Sequence, residues 1–381
     1  TQHQYKNTND PWRLFQQRTH HCQSLMEISR RIKIKIRSIS QGVASIWHTA
    51  TQPLLSPWQK RADQQRLQAI LALKRVKELL LPEAISNGCK RLVLFSHFSP
   101  KGHLQAAMKR EIQDLRQRGW QVLILTNHLD PIGHQWCQKQ QVGLLFRENE
   151  GRDFGAFQDG WLALQSRGLW ANCEQLVLLN DSVFPVTCLE ESSWPQFLDG
   201  DRKAVVGFTD SYQNGYHLQS YALNIPENVF HSPWWHDYWS GYPGWGGMKI
   251  AIRVGEIGLS QTCLKHGITL RSLHPVSRLR GQLASGELMQ KLEAICSTKA
   301  AELIVSTLLS TRTSAITFFS PTHYWAIPLL LDGHPFIKRW LLESNEEMCL
   351  DPLLITSNKA ELINAEELVD YLRPPIIGFA G

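Results

Sequence analysis

The sequence predicts an α/β protein built on a Rossmann-like parallel layer, and three observations carry that prediction. Short apolar runs at 91–95, 122–125, 142–146 and 176–179 alternate with stretches of helical spacing, the pattern of strands joined by helical crossovers. Gly119, Gly168 and Gly267 fall where the intervening helices should stop. Each apolar run also ends on polar residues: Ser96-His97, Thr126-Asn127, Arg147 and Asn180-Asp181-Ser182. In an open α/β sheet the carboxyl ends of parallel strands face the crevice that binds ligands. The loop after Phe95 is not G-x-G-x-x-G, so the dinucleotide fingerprint is absent.

Taken in order, residues 1–20 are polar and show no period. From Leu25, apolar residues recur at Ile28, Ile32, Ile36, Ile39, Val43 and Ile46, with Arg30, Arg31, Lys33 and Arg37 around them. This reads as a basic amphipathic helix over about 24–47, with Trp47 near its end. Such a helix fits the interface of an anionic bilayer, and it fits equally well docked on the protein's own core. Pro53 and Pro57 mark a linker at 49–60, and a second helix is predicted from roughly Gln64 to Leu81, stopped by Pro82. The organisation expected is a basic helical segment and linker over 1–85, a main domain over 86–345, and a tail packed on it over 346–381.

Within the main domain, Leu104, Met108, Ile112 and Leu115 define one helix. Asn149, Gly151 and Gly155 form a tight turn into another, which carries Phe157, Trp161 and Leu164. A strand at 204–208 leads to Thr209-Asp210-Ser211, and 217–224 alternates as extended chain. Pro226 opens a helix ending in Trp234, Trp235, Tyr238 and Trp239, followed by the glycine and aromatic loop 240–247. Such a loop suits stacking on sugar rings, and it suits equally a surface loop capped by core tryptophans. A helix is expected over 256–266, and the part from 285 reads as mostly helical, including 321–331 and 335–342.

The net charge of +6 hides an asymmetry, since residues 1–91 hold 16 Lys/Arg against 5 Asp/Glu and the remainder holds 24 against 29. A basic arm on a near-neutral domain points to an acidic partner surface. No stretch approaches the roughly 18 apolar residues of a spanning helix. The eight cysteines stand singly without a C-x-x-C pair, which reads as reduced thiols in a cytoplasmic protein. The chain opens at Thr1 without methionine, which leaves room for an upstream segment.

The runs RENEGRDFGAF (147–157), LLNDSVF (178–184), FTDS (208–211), HLQSYALNIP (217–226), VGEIGLSQTCLKHG (254–267), SPTHYW (320–325) and HPFIKRWLL (334–342) occur in an order that resembles the rhamnan synthesis protein F family. Those are bacterial glycosyltransferase-like proteins of surface polysaccharide assembly, and the resemblance runs over about 91–345. It implies a GT-A-type glycosyltransferase domain that moves a rhamnose-like sugar from a nucleotide-sugar to a polysaccharide or lipid-linked acceptor, with inversion. Asn149-x-Gly151 resembles the N-x-G before the donor-binding helix of family 2 glycosyltransferases. Asn180-Asp181-Ser182 takes the place of their D-x-D, so Asp181 is expected to contact a Mg2+ or Mn2+ ion or a ribose hydroxyl, with Asn180 and Ser182 as neutral neighbours. Only the middle position is acidic, and a weak metal site would need other positive groups at the leaving diphosphate: Arg147, Arg152 or the helix start at Gly155. The resemblance further implies substrate contacts from Asn149, Gly151, Arg152, Asp153, Asn180, Ser182, His217, Gln219 and Ser220. Glu256 resembles the helix-borne general base, and Asp210 competes for that role.

Three other functions compete with this one: a sugar-phosphate transferase or hydrolase, a non-catalytic glycan-binding or scaffold subunit, and a nucleic-acid binder. The last is disfavoured because the basic residues gather in one helix without interleaved stacking aromatics. The expected place is the cytoplasm, at the inner face of the cell membrane, with a nucleotide-sugar and a glycan or lipid-linked acceptor as partners.

Overall fold

The computed structural model describes residues 67–294 and 320–339, together with 298, 301–302, 305–306 and 341. The basic helix at 24–47, the linker at 49–60 and the tail at 346–381 lie outside the described residues. The chain divides between Ala62 and Asp63, and the described residues all belong to the second unit.

The fold is a mixed α/β layer around a mostly parallel sheet. Its strands are β1 (Val76–Leu80), β2 (Arg91–His97), β3 (Gln121–Thr126), β4 (Gly143–Arg147), β5 (Gln175–Asn180), β7 (Ala204–Ser211), β8 (His217–Leu218), β9 (Ala222–Pro226) and β10 (Thr269–His274). They lie in the order β1-β4-β3-β2-β5-β9-β7-β10, with β8 paired to β7. A separate two-stranded ribbon joins β6 (Val183–Pro185) to β11 (Phe336–Lys338). Strands β2 to β5 are mutually parallel; β9 runs antiparallel between β5 and β7, and β10 is parallel to β7.

The parallel strands are apolar throughout because both faces are covered. Leu92, Leu94, Leu123, Leu125, Leu176 and Leu178 pack on one side, against Phe154, Phe157 and Trp161 of a buried helix. Val93, Phe95, Val122, Ile124, Val177 and Leu179 pack on the other, against Met108, Ile112 and Leu115. The helices that bear on the site are α1 (67–75), α2 (Ala106–Gln117), α3 (Pro131–Lys139), α4 (Arg152–Gln165), α5 (Pro233–Gly241), α6 (Ile257–Lys265) and α7 (Val276–Ala284).

Three expectations are corrected. The helix predicted to reach Leu81 stops at residue 75, and 76–80 becomes β1, antiparallel to β4. The open edge of β4 offers backbone partners that outweigh the helical spacing of this stretch. The sheet domain therefore begins before residue 86, at Val76 or earlier. Finally, the predicted helix 335–342 contains β11, whose backbone pairs with β6 in the register Phe336–Pro185, Ile337–Phe184 and Lys338–Val183. No helix among the described residues is long and apolar enough to cross a membrane.

Candidate functional site

The chain runs β2, β3, β4 in one direction across the sheet and then returns to place β5 on the other flank of β2. That reversal is a topological switch point, where strand ends diverge and leave a crevice. A cleft of about 640 Å³ opens there, walled by Ser96, His97 and Phe98 at the end of β2, by 149–153 after β4, and by Asn180, Asp181 and Ser182 at the end of β5. Trp245, 53% exposed, closes one side from the glycine loop. Asn149, Gly151, Arg152, Asp153, Asn180, Asp181 and Ser182, expected from the sequence to share one site, thus line one cleft.

The turn into α4 is shaped by backbone that only glycine adopts easily. Gly151 has φ 69° and the next residue, Arg152, also stands in the left-handed region at φ 56°. A Cβ on Gly151 would strike the carbonyl oxygen of Gly244, so the two loops touch through backbone alone. Beneath them lies a buried network. Asp159 of α4 accepts from Arg75 Nη2 at 2.6 Å and from Arg147 Nε at 2.6 Å. Burial raises the Asp159 carboxyl above the usual aspartate range, against the opposing pull of the two guanidiniums in contact with it. Arg147 also donates to the Glu150 carbonyl, and Arg75 to Gln158 Oε1 at 2.7 Å. Gln158 Nε2 in turn donates to the carbonyls of Trp239 at 2.8 Å and Tyr242 at 2.7 Å. The network ties the 148–151 turn and the tryptophan loop to one helix. Arg147, a candidate partner for the diphosphate, has its guanidinium committed to this scaffold and is 3% exposed. Arg152 is exposed in the cleft wall.

At the end of β5, Asn180 Nδ2 donates to Asp153 Oδ2 at 2.6 Å, and Asn180 Oδ1 accepts from the N–H and hydroxyl of Ser182 at 3.1 and 2.5 Å. Asp181 Oδ2 accepts from the Phe98 N–H at 3.0 Å and from Arg339 Nη1 at 3.3 Å. Lys338 Nζ donates to Ser182 Oγ at 3.0 Å. His97, in the same wall, bonds Thr126 Oγ1 at 3.0 Å, and burial lowers its pKa.

Glu256 is not among the residues that line the cleft, and its side chain is 21% exposed. It ends a π-helical segment, Ala251–Glu256, that leads into α6. π-Turns free carbonyls and recur at functional sites; here Tyr238 OH donates to the carbonyls of Val254 at 3.0 Å and Gly255 at 3.2 Å. The Ser220 N–H and hydroxyl donate to Glu256 Oε2 at 2.8 and 2.7 Å, and His217 Nε2 lies 3.5 Å from Oε1. Burial alone would raise this carboxyl, but His217 and Ser220 outweigh it and hold Glu256 below the usual glutamate range. Burial would lower His217, and the Glu256 carboxylate outweighs that and raises it. His217 and Ser220 therefore gather on Glu256.

The other two residues stand apart. Gln219 is tied at both ends, accepting from Thr209 Oγ1 at 2.8 Å and donating to Ser320 Oγ at 2.6 Å. Asp210 accepts the Val276 N–H at 2.8 Å and so caps α7, with its carboxyl raised chiefly by burial.

A hard cation wants free carboxylate and carbonyl oxygen. Around Asp181 the neutral oxygens already face donors, and Lys338 and Arg339 stand within one hydrogen bond. The donor set does not fit a divalent ion at this point. Among the described residues no three His, Cys, Asp or Glu side chains surround a common position. The described cysteines are free thiols, and burial pushes Cys137, Cys173 and Cys263 up to about 12, which removes them as nucleophiles at neutral pH.

No protein-family model matches the chain. It is 27% identical over 184 residues to the uncharacterized protein y4gN of Sinorhizobium fredii. The aligned stretch covers 46% of this chain and 46% of that protein, so the chain spans about half the length of the relative it matches.

Proposed function

We propose that this protein is a GT-A-type glycosyltransferase, moving a sugar from a nucleotide-sugar to a glycan or lipid-linked acceptor in surface polysaccharide assembly. One observation carries the reading: stretches far apart in the chain meet at the switch-point cleft, where Asn180 reaches Asp153, Lys338 touches Ser182 and Arg339 reaches Asp181.

In this reading the donor lies across the cleft, with Trp245 against its base or sugar. The bond from the anomeric carbon to the diphosphate oxygen breaks and its electron pair leaves with the diphosphate. The acceptor oxygen forms the new bond on the opposite face, and its proton passes to Glu256. A carboxylate held ionised by Ser220 and His217 is in the right state to receive it. Asp210, whose carboxyl caps α7 and is raised chiefly by burial, fits the role less well. A lipid-linked acceptor would bring the basic 24–47 stretch to an anionic inner membrane face, a proposal that rests on the sequence of that stretch.

The test has two parts. A thermal-shift screen of nucleotide-sugars should find one that stabilises the protein by about 2.7 kcal/mol at a hundred times its dissociation constant. With that donor, Glu256→Gln should turn over about 10²–10⁴-fold more slowly while donor affinity is retained. A screen without any stabilising nucleotide-sugar, or a Glu256→Gln variant at the wild-type rate, would overturn the reading.

A further inference from the structure

We infer that Lys338 and Arg339, at and just beyond the end of β11, supply the positive charge that holds a substrate diphosphate in the cleft, where the sequence pattern places a divalent cation. The inference rests on the nucleotide-sugar reading and names what takes the place of its metal.

The first support is the wiring of the cleft wall. Of the oxygens that would begin a metal shell, Asn180 Oδ1, Asp181 Oδ2 and Ser182 Oγ each already accept a hydrogen bond, from Ser182, from Phe98 and Arg339, and from Lys338, which leaves Asp181 Oδ1. A divalent ion placed among them would face two fixed cations at hydrogen-bond range of its own ligands. An anion placed there would meet both with the right sign.

The second support is how these cations arrive. Strand β6 begins one residue after Ser182, and β11 pairs with it so that Lys338 lies opposite Val183. Backbone register thus delivers an ammonium to the end of β5 from 156 residues away in the chain. The Arg339 N–H bonds the Ser182 carbonyl at 2.9 Å, which locks the same crossing.

The third support is unused donor capacity. An ammonium carries three N–H groups; among the described residues Lys338 donates one to Ser182 Oγ and also lies 5.8 Å from the centre of the Tyr221 ring. Arg339 donates through Nη1 to Asp181 and through Nη2 to Gln105 Oε1 at 3.1 Å, while its buried Nε has no partner among the described residues. Burial draws the Lys338 ammonium below its ordinary pKa, and the carboxylates of Glu256, Asp153 and Asp181 push it back up. A diphosphate has the charge and the acceptor oxygens to use what these two side chains leave over; a single phosphate reaches fewer of them.

The experiment is calorimetric titration of the full chain with UDP, GDP and dTDP and their monophosphates, first in EDTA and then with Mg2+ or Mn2+. At least one diphosphate is expected to bind in EDTA, with an affinity changed less than about twofold by either ion. Lys338→Met and Arg339→Gln should each weaken that diphosphate about tenfold (about 1.4 kcal/mol), and its monophosphate far less. Binding that vanishes in EDTA and returns with Mn2+ would overturn the inference and leave the donor reading standing. Equal loss of diphosphate and monophosphate in the variants, or no loss in either, would overturn it as well. If no nucleotide binds with or without metal, the donor reading and this inference fall together. Circular dichroism checks that the variants fold, and the EDTA comparison on the unaltered chain decides the question even if Lys338→Met does not.

Discussion

Replacing Asp159 by Asn tests the scaffold beneath the cleft without reference to any activity. Asp159 is fully buried and its two oxygens face guanidiniums on both sides, Arg75 at 2.6 and 3.2 Å and Arg147 at 2.6 Å. An Asn there has one acceptor oxygen and one NH2 group, so whichever way it turns, a donor is aimed at a donor. Two buried arginines are also left to repel each other without the charge between them. Removing one member of a buried ionic cluster costs about 3–5 kcal/mol, which for a domain of this size lowers the melting temperature by roughly 6–20 °C. Thermal and urea unfolding should agree on that loss. Hydrogen exchange should rise at 148–151 and 242–246, because Arg147 holds the Glu150 carbonyl and Gln158 holds the Trp239 and Tyr242 carbonyls. A variant melting within about 2 °C of wild type, with unchanged exchange in both loops, would show that the network does not hold them.

Two further outcomes follow from the site. The His217–Glu256 pair joins a raised imidazole to a lowered carboxyl. Its contribution is therefore fully present between the ordinary glutamate value of about 4.3 and the ordinary histidine value of about 6.5; it is lost as pH falls toward the lowered Glu256 value and as pH rises through the raised His217 value. The stability gap between wild type and His217→Gln should shrink as pH climbs past neutrality; a gap constant from pH 5.5 to 8.5 would contradict the pairing. Trp245, half exposed on the cleft rim, should quench on nucleotide-sugar binding. Trp245→Ala should weaken binding by about 1–3 kcal/mol, the worth of one stacked ring, with no change in melting temperature. An affinity within twofold of wild type by calorimetry would remove the stacking role.

The four parallel strands were legible because burial on both faces leaves continuous apolar runs, with polar residues only where the chain emerges at the rim. The remaining strands carry no such mark. In β1, Val-Lys-Glu-Leu-Leu lies on an outer edge with Lys77, Glu78 and Leu80 exposed, so its strand character comes from β4 and not from its own pattern. Strand β10, Thr-Leu-Arg-Ser-Leu-His, is only partly buried and reads as neither period. Helical spacing misled on α1 too, where Leu67, Ile70 and Leu73 are exposed and Gln68, Ala72 and Arg75 are buried. Arg75 is inside because it has Asp159 to meet, a partner 84 residues away that no local window contains.

The cleft divides the same way. Asn149 to Asp153 and Asn180 to Ser182 could be found because a residue just past the end of a parallel strand can only be at the rim. Lys338 and Arg339 could not, since nothing in His-Pro-Phe-Ile-Lys-Arg-Trp separates a basic helix surface from a strand that returns to the first site. The register of β11 on β6 decides it: Lys338 opposite Val183 places the ammonium on Ser182, and a shift by one residue would turn that side chain to the other face of the ribbon. Arg147 shows the converse. Its position at the end of β4 marks it for the ligand, yet Asp159 lies twelve residues on, within α4, and takes its charge. A cation's availability to a substrate is fixed by which carboxylates the fold has already set against it. By that criterion Arg147 is spent on the scaffold, while Arg152 stays exposed in the cleft wall and β11, last in the chain, brings Lys338 and Arg339 onto Ser182 and Asp181 at its edge.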